Sequence, residues 1–395
     1  MMRMIDLSSP EFLADPYPTY RQLRETEPVC WLPFDAPPYG MWLVTRYADV
    51  AAALKHPCLS KNPRPFLPPE YLTPLDLTML STDPPDHTRL RSLVSQAFTP
   101  KRINDLEARI RAIVDDLLAH LHPDGPLDFI AEVALPLPVI VIAELLGVPP
   151  DDRMMFRAWS TDVVRGADST QQSEENMRKL QAAMAALIGY FQDLIRRRRV
   201  ARAPDLISGL IDARDVQDRL TEDELLGTCI LLLIAGHETT VNLLGNGLLA
   251  LLQHREQFER LRQQPELIPC AVEEMLRFHS PVQRATFRAA TEVVEIAGRR
   301  IEPGQQVSAV IGAANRDPAQ FPDPDRFDVG REPNRHLAFG LGGHFCLGAP
   351  LARTEARIAF TRLLAQLPEL RLTDAEPEWN SNTLLRGLRS LRVTF

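Results

Sequence analysis

The chain has 395 residues with 44 Lys and Arg against 52 Asp and Glu, and its formal net charge of −8 leaves no cationic footprint for nucleic acid. A hydrophobic content of 45% suits a large buried core, and no Ser/Gly-rich spacer, charge block or internal repeat divides it, so one unit is the default. The five cysteines, Cys30, Cys58, Cys229, Cys270 and Cys346, show no CxxC pairing, which argues against a zinc site and a secreted disulfide framework and predicts reduced thiols. Met1 to Pro18 is polar and Pro-punctuated, unlike a secretory signal, so a cytoplasmic protein without a membrane span is expected.

Tyr17 to Glu27 carries a helical pattern, Met41 to Tyr47 the aromatic and β-branched content of a strand, and Tyr47 to His56 a second helix. Proline is dense from Pro57 to Pro85 and forbids long regular structure there, which predicts an extended loop of the kind that lines sites. In Arg102 to His122, Ile103, Leu106, Ile110, Ile113, Val114, Leu117, Leu118 and Leu121 recur at three- and four-residue intervals and mark one apolar helix face. The apolar window Phe129 to Val148 raises the question of a membrane span, but Glu132, Glu144, Pro136 and Pro138 favour buried helices. Helices follow at about 151–166, 175–199 and 203–213, with Arg196 to Arg199 as a solvated helix end where cations suit the dipole. Strand-like pieces return at Val293 to Ile296, Gln306 to Ile311 and Leu388 to Phe395, so the fold class is mainly α with a smaller β region.

Between these lies a long helix. Thr221 and Glu224 form a capping box, and Leu225 to His254 then runs for about 30 residues, roughly 45 Å at about 1.5 Å per residue. The helix is apolar nearly all round except for Ala235, Gly236, His237, Glu238, Thr239, Thr240 and Asn242 in its middle. One account is purely structural: the threonines bond back to carbonyls one turn earlier, and Glu238 pairs with His237 or a distant Arg. The other is chemical: Gly236 admits a close approach to the backbone, while Glu238 and Thr239 supply a carboxylate and a hydroxyl for proton transfer in a dry cavity.

Near the C-terminus, Phe339-Gly-Leu-Gly-Gly-His-Phe-Cys346-Leu-Gly348 is a glycine-rich loop entering a helix whose apolar positions include Leu351, Ile358, Leu363 and Leu364. A helix N-terminus lowers a thiol pKa, and N–H donors to sulfur tune a bound metal. A buried inert cysteine is the bland alternative, and a zinc reading with His344 lacks two further ligands nearby.

The pattern F-x-x-G-x-x-x-C-x-G, filled by Phe339, Gly342, Cys346 and Gly348, resembles the haem-binding signature of the cytochrome P450 family. Ala235-Gly236-His237-Glu238-Thr239-Thr240 is similar to that family's oxygen-activation motif, with Glu238 and Thr239 in the acid and alcohol positions. Glu274-Met-Leu-Arg277 resembles its E-x-x-R pair, whose third member maps onto Arg326 in Phe321-Pro-Asp-Pro-Asp-Arg326-Phe327. Asp83-Pro-Pro-Asp86-His87-x-x-x-Arg91 is similar to its propionate-binding stretch, and Arg288 and His344 match the remaining propionate partners. The five motifs stand in the family's order from residue 83 to residue 348.

The resemblance implies a single large domain over 1–395 with the cytochrome P450 fold. Its β-containing part would fall at about 1–60 and 290–312, and its helical haem-binding core at about 85–280 and 335–370. It further implies haem b with Cys346 as axial iron ligand and His87, Arg91, Arg288, His344, Phe339, Gly340, Gly348, Ala235 and Gly236 around it. Glu238 and Thr239 would be catalytic, and Glu274, Arg277 and Arg326 structural. Substrate contacts are expected from the loop at about 58–82, the helices at about 151–190, Leu232, the stretch Val282 to Phe287 with Thr286 and Phe287, and Thr383 to Leu385 with Leu384 and Leu385. The implied activity is monooxygenation: one atom of O2 enters an apolar small molecule, by C–H hydroxylation or epoxidation of a polyketide, macrolide, terpenoid or steroid. No flavin or iron–sulfur segment is visible, so NAD(P)H would act through a ferredoxin and its reductase or a flavodoxin-type donor docking near Cys346, with Arg353 as a candidate contact. A monomer is expected. A peroxide-driven peroxygenase and a non-catalytic haem sensor or carrier are the alternatives.

Overall fold

The computed structural model describes all residues except 1–5, 35–39, 68–71, 97, 99, 123–124, 154, 167, 169–172, 216–219 and 374–375. Parts of the expected substrate-lining stretches 58–82 and 151–190 therefore lie outside the described residues.

In chain order the first elements are α1 (Pro10–Ala14), α2 (Tyr17–Thr26), β1 (Val29–Pro33), β2 (Gly40–Val44), α3 (Tyr47–Lys55) and β3 (Leu59–Ser60). Ser9 caps α1 by accepting from the Phe12 N–H, and α1 and α2 both take proline in the first turn, where a missing N–H costs nothing. Among its described residues the Pro-rich stretch holds β3 and a short 3-10 turn at Pro74–Leu77. Next come α4 (Asp86–Ser95), α5 (Pro100–Ala119), β4 (Leu127–Asp128), a π-helical turn at Ile130–Ala134, α6 (Pro136–Leu146), α7 (Met155–Gly166), α8 (Glu174–Val200) and α9 (Leu206–Asp215). The long helix is α10 (Glu222–Gln253), followed by α11 (Arg255–Gln263) and α12 (Ile268–Phe278). The rest comprises β5 (Ala289–Ala290), β6 (Val294–Ile296), β7 (Arg299–Ile301), β8 (Gln306–Ala309), α13 (Ile311–Ala314), α14 (Ala349–Gln366), β9 (Arg371–Leu372), β10 (Glu378–Trp379), β11 (Leu388–Ser390) and β12 (Arg392–Thr394).

Backbone contacts divide the chain into two units, one of Met1–Leu59, Glu107–Leu137 and Thr239–Phe395, the other of Ser60–Leu106 and Pro138–Glu238. The first unit carries the β structure, with β3 at its boundary. Its largest sheet has the order β1-β2-β8-β5-β3; β1 and β2 pair antiparallel with Trp31 opposite Trp42, whereas β8 joins β2 in parallel, a pairing no hairpin can make. Val29, Val44, Val50, Leu54, Val307 and Ala309 bury one face of this sheet against α3. The strand expected over Gln306 to Ile311 ends at Ala309, because Ile311 begins the turn α13. The single C-terminal strand expected over Leu388 to Phe395 is two. Leu391 leaves the β10–β11 pairing so that its N–H reaches Asp128 Oδ1 at 2.9 Å and its carbonyl accepts from Phe129, which hands β12 to the sheet β4-β12-β9.

In the second unit the arginine run at the end of α8 is not wholly solvated. Arg198 donates from Nε to Asp205 Oδ2 at 2.5 Å and from Nη2 to the Gly147 carbonyl at 2.7 Å, which ties α8 to the loop after α6. The capping box of α10 is formed: Thr221 N–H donates to Glu224 Oε2 at 2.8 Å and Glu224 N–H to Thr221 Oγ1 at 3.1 Å. Glu224 also receives Arg89 of α4. By length and composition α10 could cross a membrane, but 72% of its apolar window is buried in the protein, which marks it as a core helix.

Candidate functional site

The loop that carries Cys346 is shaped by glycines. Gly340 and Gly342 take φ of +72° and +81°, a region that side chains with a Cβ rarely adopt, and a Cβ on Gly342 would also come within 3.0 Å of Lys55 Cγ. Cys346 N–H donates to the Phe339 carbonyl at 2.9 Å, which folds the loop back on itself. Gly348 stands at the N-cap of α14, and a Cβ there would sit 4.0 Å from Cys346 Sγ. The half-buried thiol therefore lies against the electropositive start of a helix of 18 residues. His344 occupies the 3-10 turn two residues earlier.

These residues suit a haem better than a bare metal. Among the described residues no group of three His, Cys, Asp or Glu could hold a metal ion, so an iron at Cys346 must bring most of its ligands with it, as a macrocycle does.

In the same unit, Val282 and Leu385 form a β-bridge, and the Gln283 N–H donates to the Leu384 carbonyl at 2.8 Å. The two segments expected to line the substrate thus share one edge, with Thr286, Phe287, Leu384 and Leu385 half-buried. Arg284 fixes that edge, donating from Nη2 to Thr383 Oγ1 at 2.6 Å and from Nε to the Thr383 carbonyl at 3.2 Å. Nothing in Arg284-Ala-Thr-Phe-Arg288 distinguishes this anchor from Arg288, which is buried immediately before β5 with Nη1 donating to the Thr286 carbonyl at 3.3 Å.

Glu274 and Arg277 are both fully buried on α12 and bind in a fork, Nε to Oε2 at 2.7 Å and Nη2 to Oε1 at 2.8 Å. Arg277 also donates from Nη1 to the carbonyls of Asn315 and Pro324 and from Nη2 to that of Arg326, so all five of its N–H donors are used. Only such complete pairing offsets the desolvation of two buried charges. The third arginine is Arg331, not the expected Arg326. Arg331 Nε reaches Glu274 Oε1 at 3.2 Å, whereas Arg326 is exposed and contributes only its carbonyl. The physical reason is the path of the loop, which turns its carbonyls toward Arg277 and the Arg326 side chain to solvent; the turn from Asp328 to Arg331 then brings the later arginine back.

In the second unit, α7 binds the polar island of α10. His237 Nε2 and Ser160 Oγ are 2.9 Å apart, His237 Nδ1 donates to the Leu233 carbonyl at 2.8 Å, and Thr161 Oγ1 donates to Glu238 Oε1 at 3.2 Å. Glu238 Oε1 is 4.0 Å from His237 Nε2. Ser160 and Thr161 left no signal in the sequence, because their partners lie 77 residues away. The approach that Gly236 admits is that of Ile142 of α6, whose Cγ1 would lie 2.8 Å from an added Cβ. Leu232 is buried, Ala235 is exposed and Glu238 and Thr239 are partly open, so this turn is the open stretch of an otherwise buried helix.

His87 and Arg91 share one face of α4, one turn apart. Burial, and then the charge of Arg91, hold the His87 pKa below its usual value, with Lys61 adding to the effect and Asp83 opposing it. The neutral imidazole is thus favoured at His87, beside two cations. Lys61, itself buried, was not visible as part of this group from sequence, because it lies in the irregular Pro-rich stretch.

Comparison with known proteins follows the same pattern. The sequence profile of the family described as Cytochrome P450 matches residues 169–387. The chain is 47% identical over 397 residues to the Vitamin D(3) 25-hydroxylase of Pseudonocardia autotrophica, with 99% of this chain and 96% of that one covered. It is 45% identical over 394 residues to the Cytochrome P450 monooxygenase PikC of Streptomyces venezuelae, covering 98% and 92%. The solved structure of the Bacillus subtilis 168 bacillaene polyketide synthase cytochrome P450 PksS superposes with a TM-score of 0.91 at 42% identity and 99% coverage of each chain.

Proposed function

Since the chain belongs to the cytochrome P450 family and is a monooxygenase of that haem-iron, O2-using family, we propose that Cys346 supplies the axial thiolate of haem b. The observation that carries this reading is the Cys346 thiol just before the N-cap of α14, in a loop whose positive-φ positions are the glycines Gly340 and Gly342. When bound, haem activates dioxygen at its iron, and an anionic sulfur favours cleavage of the O–O bond.

His87 and Arg91 of α4, with Arg288 and His344, would hold the propionates, the arginines by charge and the histidines by N–H donation. Phe339, Gly340, Gly348, Ala235 and Gly236 would bound the macrocycle. Thr161 donates to Oε1 of Glu238, and the Glu238 carboxylate with the Thr239 hydroxyl would relay protons. Glu274, Arg277 and Arg331 keep the loops before Cys346 in place.

The substrate is a mid-sized apolar molecule of the polyketide, macrolide, terpenoid or steroid kind, oxidised by C–H hydroxylation or epoxidation. The relatives support this class, since one is named for vitamin D(3) and a structural neighbour for a polyketide synthase. Leu232, Val282, Thr286, Phe287, Leu384 and Leu385 would line its cavity. Electrons come from NAD(P)H through a separate ferredoxin and reductase or a flavodoxin-type donor, to a monomeric cytoplasmic enzyme of one domain.

The test is the optical spectrum of the dithionite-reduced protein with carbon monoxide. A strongly red-shifted Soret band establishes thiolate ligation; a band typical of imidazole or neutral thiol refutes the role of Cys346.

A further inference from the structure

Glu273 precedes the buried Glu274 on α12 but serves a different group. It accepts from Arg353 of α14 in a fork, Nε to Oε1 at 2.7 Å and Nη2 to Oε2 at 2.8 Å, and it binds His336 Nε2 through Oε2 at 3.0 Å. The Ala338 N–H donates to His336 Nδ1 at 3.2 Å, so the ring proton sits on Nε2 and points at Glu273. Both partners of this one carboxylate flank the same aromatic ring. The Arg353 guanidinium lies 4.4 Å from the centroid of Phe339, and the His336 ring lies 6.1 Å from it. The backbone carbonyl of Phe339 in turn accepts the Cys346 N–H at 2.9 Å.

We propose that Glu273, Arg353 and His336 form a clamp that positions Phe339 and, through its carbonyl, the loop that holds the Cys346 sulfur; they are positioning residues for the thiolate. The clamp extends the haem-thiolate reading of Cys346 and rests on it. Burial pushes the Glu273 carboxyl up, but Arg353 and His336 outweigh burial and bring it to about 2, so the ion pair persists throughout the working pH range. Arg353 is therefore held by Glu273 even though 33% of its side chain is exposed. Its planar fork matters in two ways at once, as a bidentate partner of Glu273 and as a flat cation over Phe339, and lysine reproduces neither.

The experiment compares wild type, Glu273→Gln and Arg353→Lys as purified, with Arg362→Gln as control. Arg362 is on the same helix and pairs with Asp115 at similar exposure, away from Phe339. Three quantities are read: the haem midpoint potential, the rate at which the reduced carbon monoxide complex passes from thiolate to neutral-thiol form in mild urea, and the alkylation rate of Cys346 resolved by mass spectrometry. Both clamp variants are expected to move the potential and to speed conversion and alkylation about tenfold, the factor that about 1.4 kcal/mol of lost support gives. The control should lose thermal stability without moving any of the three. Unchanged potential, conversion and alkylation in both clamp variants overturns the clamp, whatever the melting temperatures. Absence of a thiolate band from wild type overturns the ligand reading instead, and faster Cys346 alkylation in the clamp variants would then still support the clamp.

Discussion

Thr239 follows a carboxylate whose Oε1 accepts from Thr161, and in the proposed relay Glu238 and the Thr239 hydroxyl would act together. Thr239→Ala is expected to keep haem and substrate binding while product formed per NAD(P)H falls at least about tenfold, with peroxide or water in its place. Product yield against NAD(P)H consumed measures this, and an unchanged ratio sinks the assignment. Arg326 and Arg331 give a second test at this scale. Arg326→Ala should change stability by less than about 0.5 kcal/mol, because the side chain is exposed and its carbonyl survives the substitution. Arg331→Ala should cost about 1–3 kcal/mol, because a buried carboxylate loses a charged donor. Urea titrations of both decide between the two arginines. The contrast shows what sequence carries. Cys346, Glu238 and the Glu274–Arg277 pair stand within short runs whose spacing is itself the signal, whereas Arg331, Arg284, Ser160 and Thr161 owe their contacts to chain paths that no local pattern records.

At the scale of elements, α10 shows both sides of the same point. Its start was legible because a capping box is a local pattern of two residues, and Thr221→Ala should cost about 1 kcal/mol by freeing the Glu224 N–H, as thermal unfolding would report. Its middle was legible as unusual but not as packed. Gly236 sits against Ile142, so Gly236→Ala should destabilise by about 1–3 kcal/mol, and Ile142→Ala in the same chain should return part of that loss. A double-mutant cycle tests it; strict additivity would mean that the two residues do not touch. The body of α5 followed from apolar periodicity, whereas α1 is too short for any period to be seen. The split of the C-terminal strand escaped because Leu391 changes partners without changing its residue type.

Across the molecule, two ionisable groups outside the candidate site, the half-buried His279 and the buried Glu355, shape the dependence of stability on pH in opposite senses. His279 is held well below 6.5 by burial and by the charges of Arg316, Arg386, His254 and Arg277. The unfolded chain therefore takes up a proton near pH 6.5 that the folded one refuses, and stability falls as pH drops below that value. Glu355 in α14 is raised from 4.5 to about 8 by burial alone. Here the folded state keeps a proton that the unfolded state loses, so stability falls as pH rises from 4.5 to about 8, by about 1.4 kcal/mol per pH unit. Glu355→Gln should flatten that limb and leave the acid limb in place, as urea titrations at a series of pH values would show; an unchanged slope above pH 6.5 would mean that Glu355 is ionised in the folded protein. The saturation of Arg277 reaches further still. Its donors end on the carbonyls of Asn315, Pro324 and Arg326, in a stretch where α13 is followed by no further helix or strand until the turn before Cys346, so one side chain stands in for the hydrogen-bond ladder that a helix or sheet would have supplied. Residues 315–334 should accordingly resist trypsin and thermolysin as a block, and a single Arg277→Lys exchange should open the whole block to cleavage at once rather than loosen it site by site.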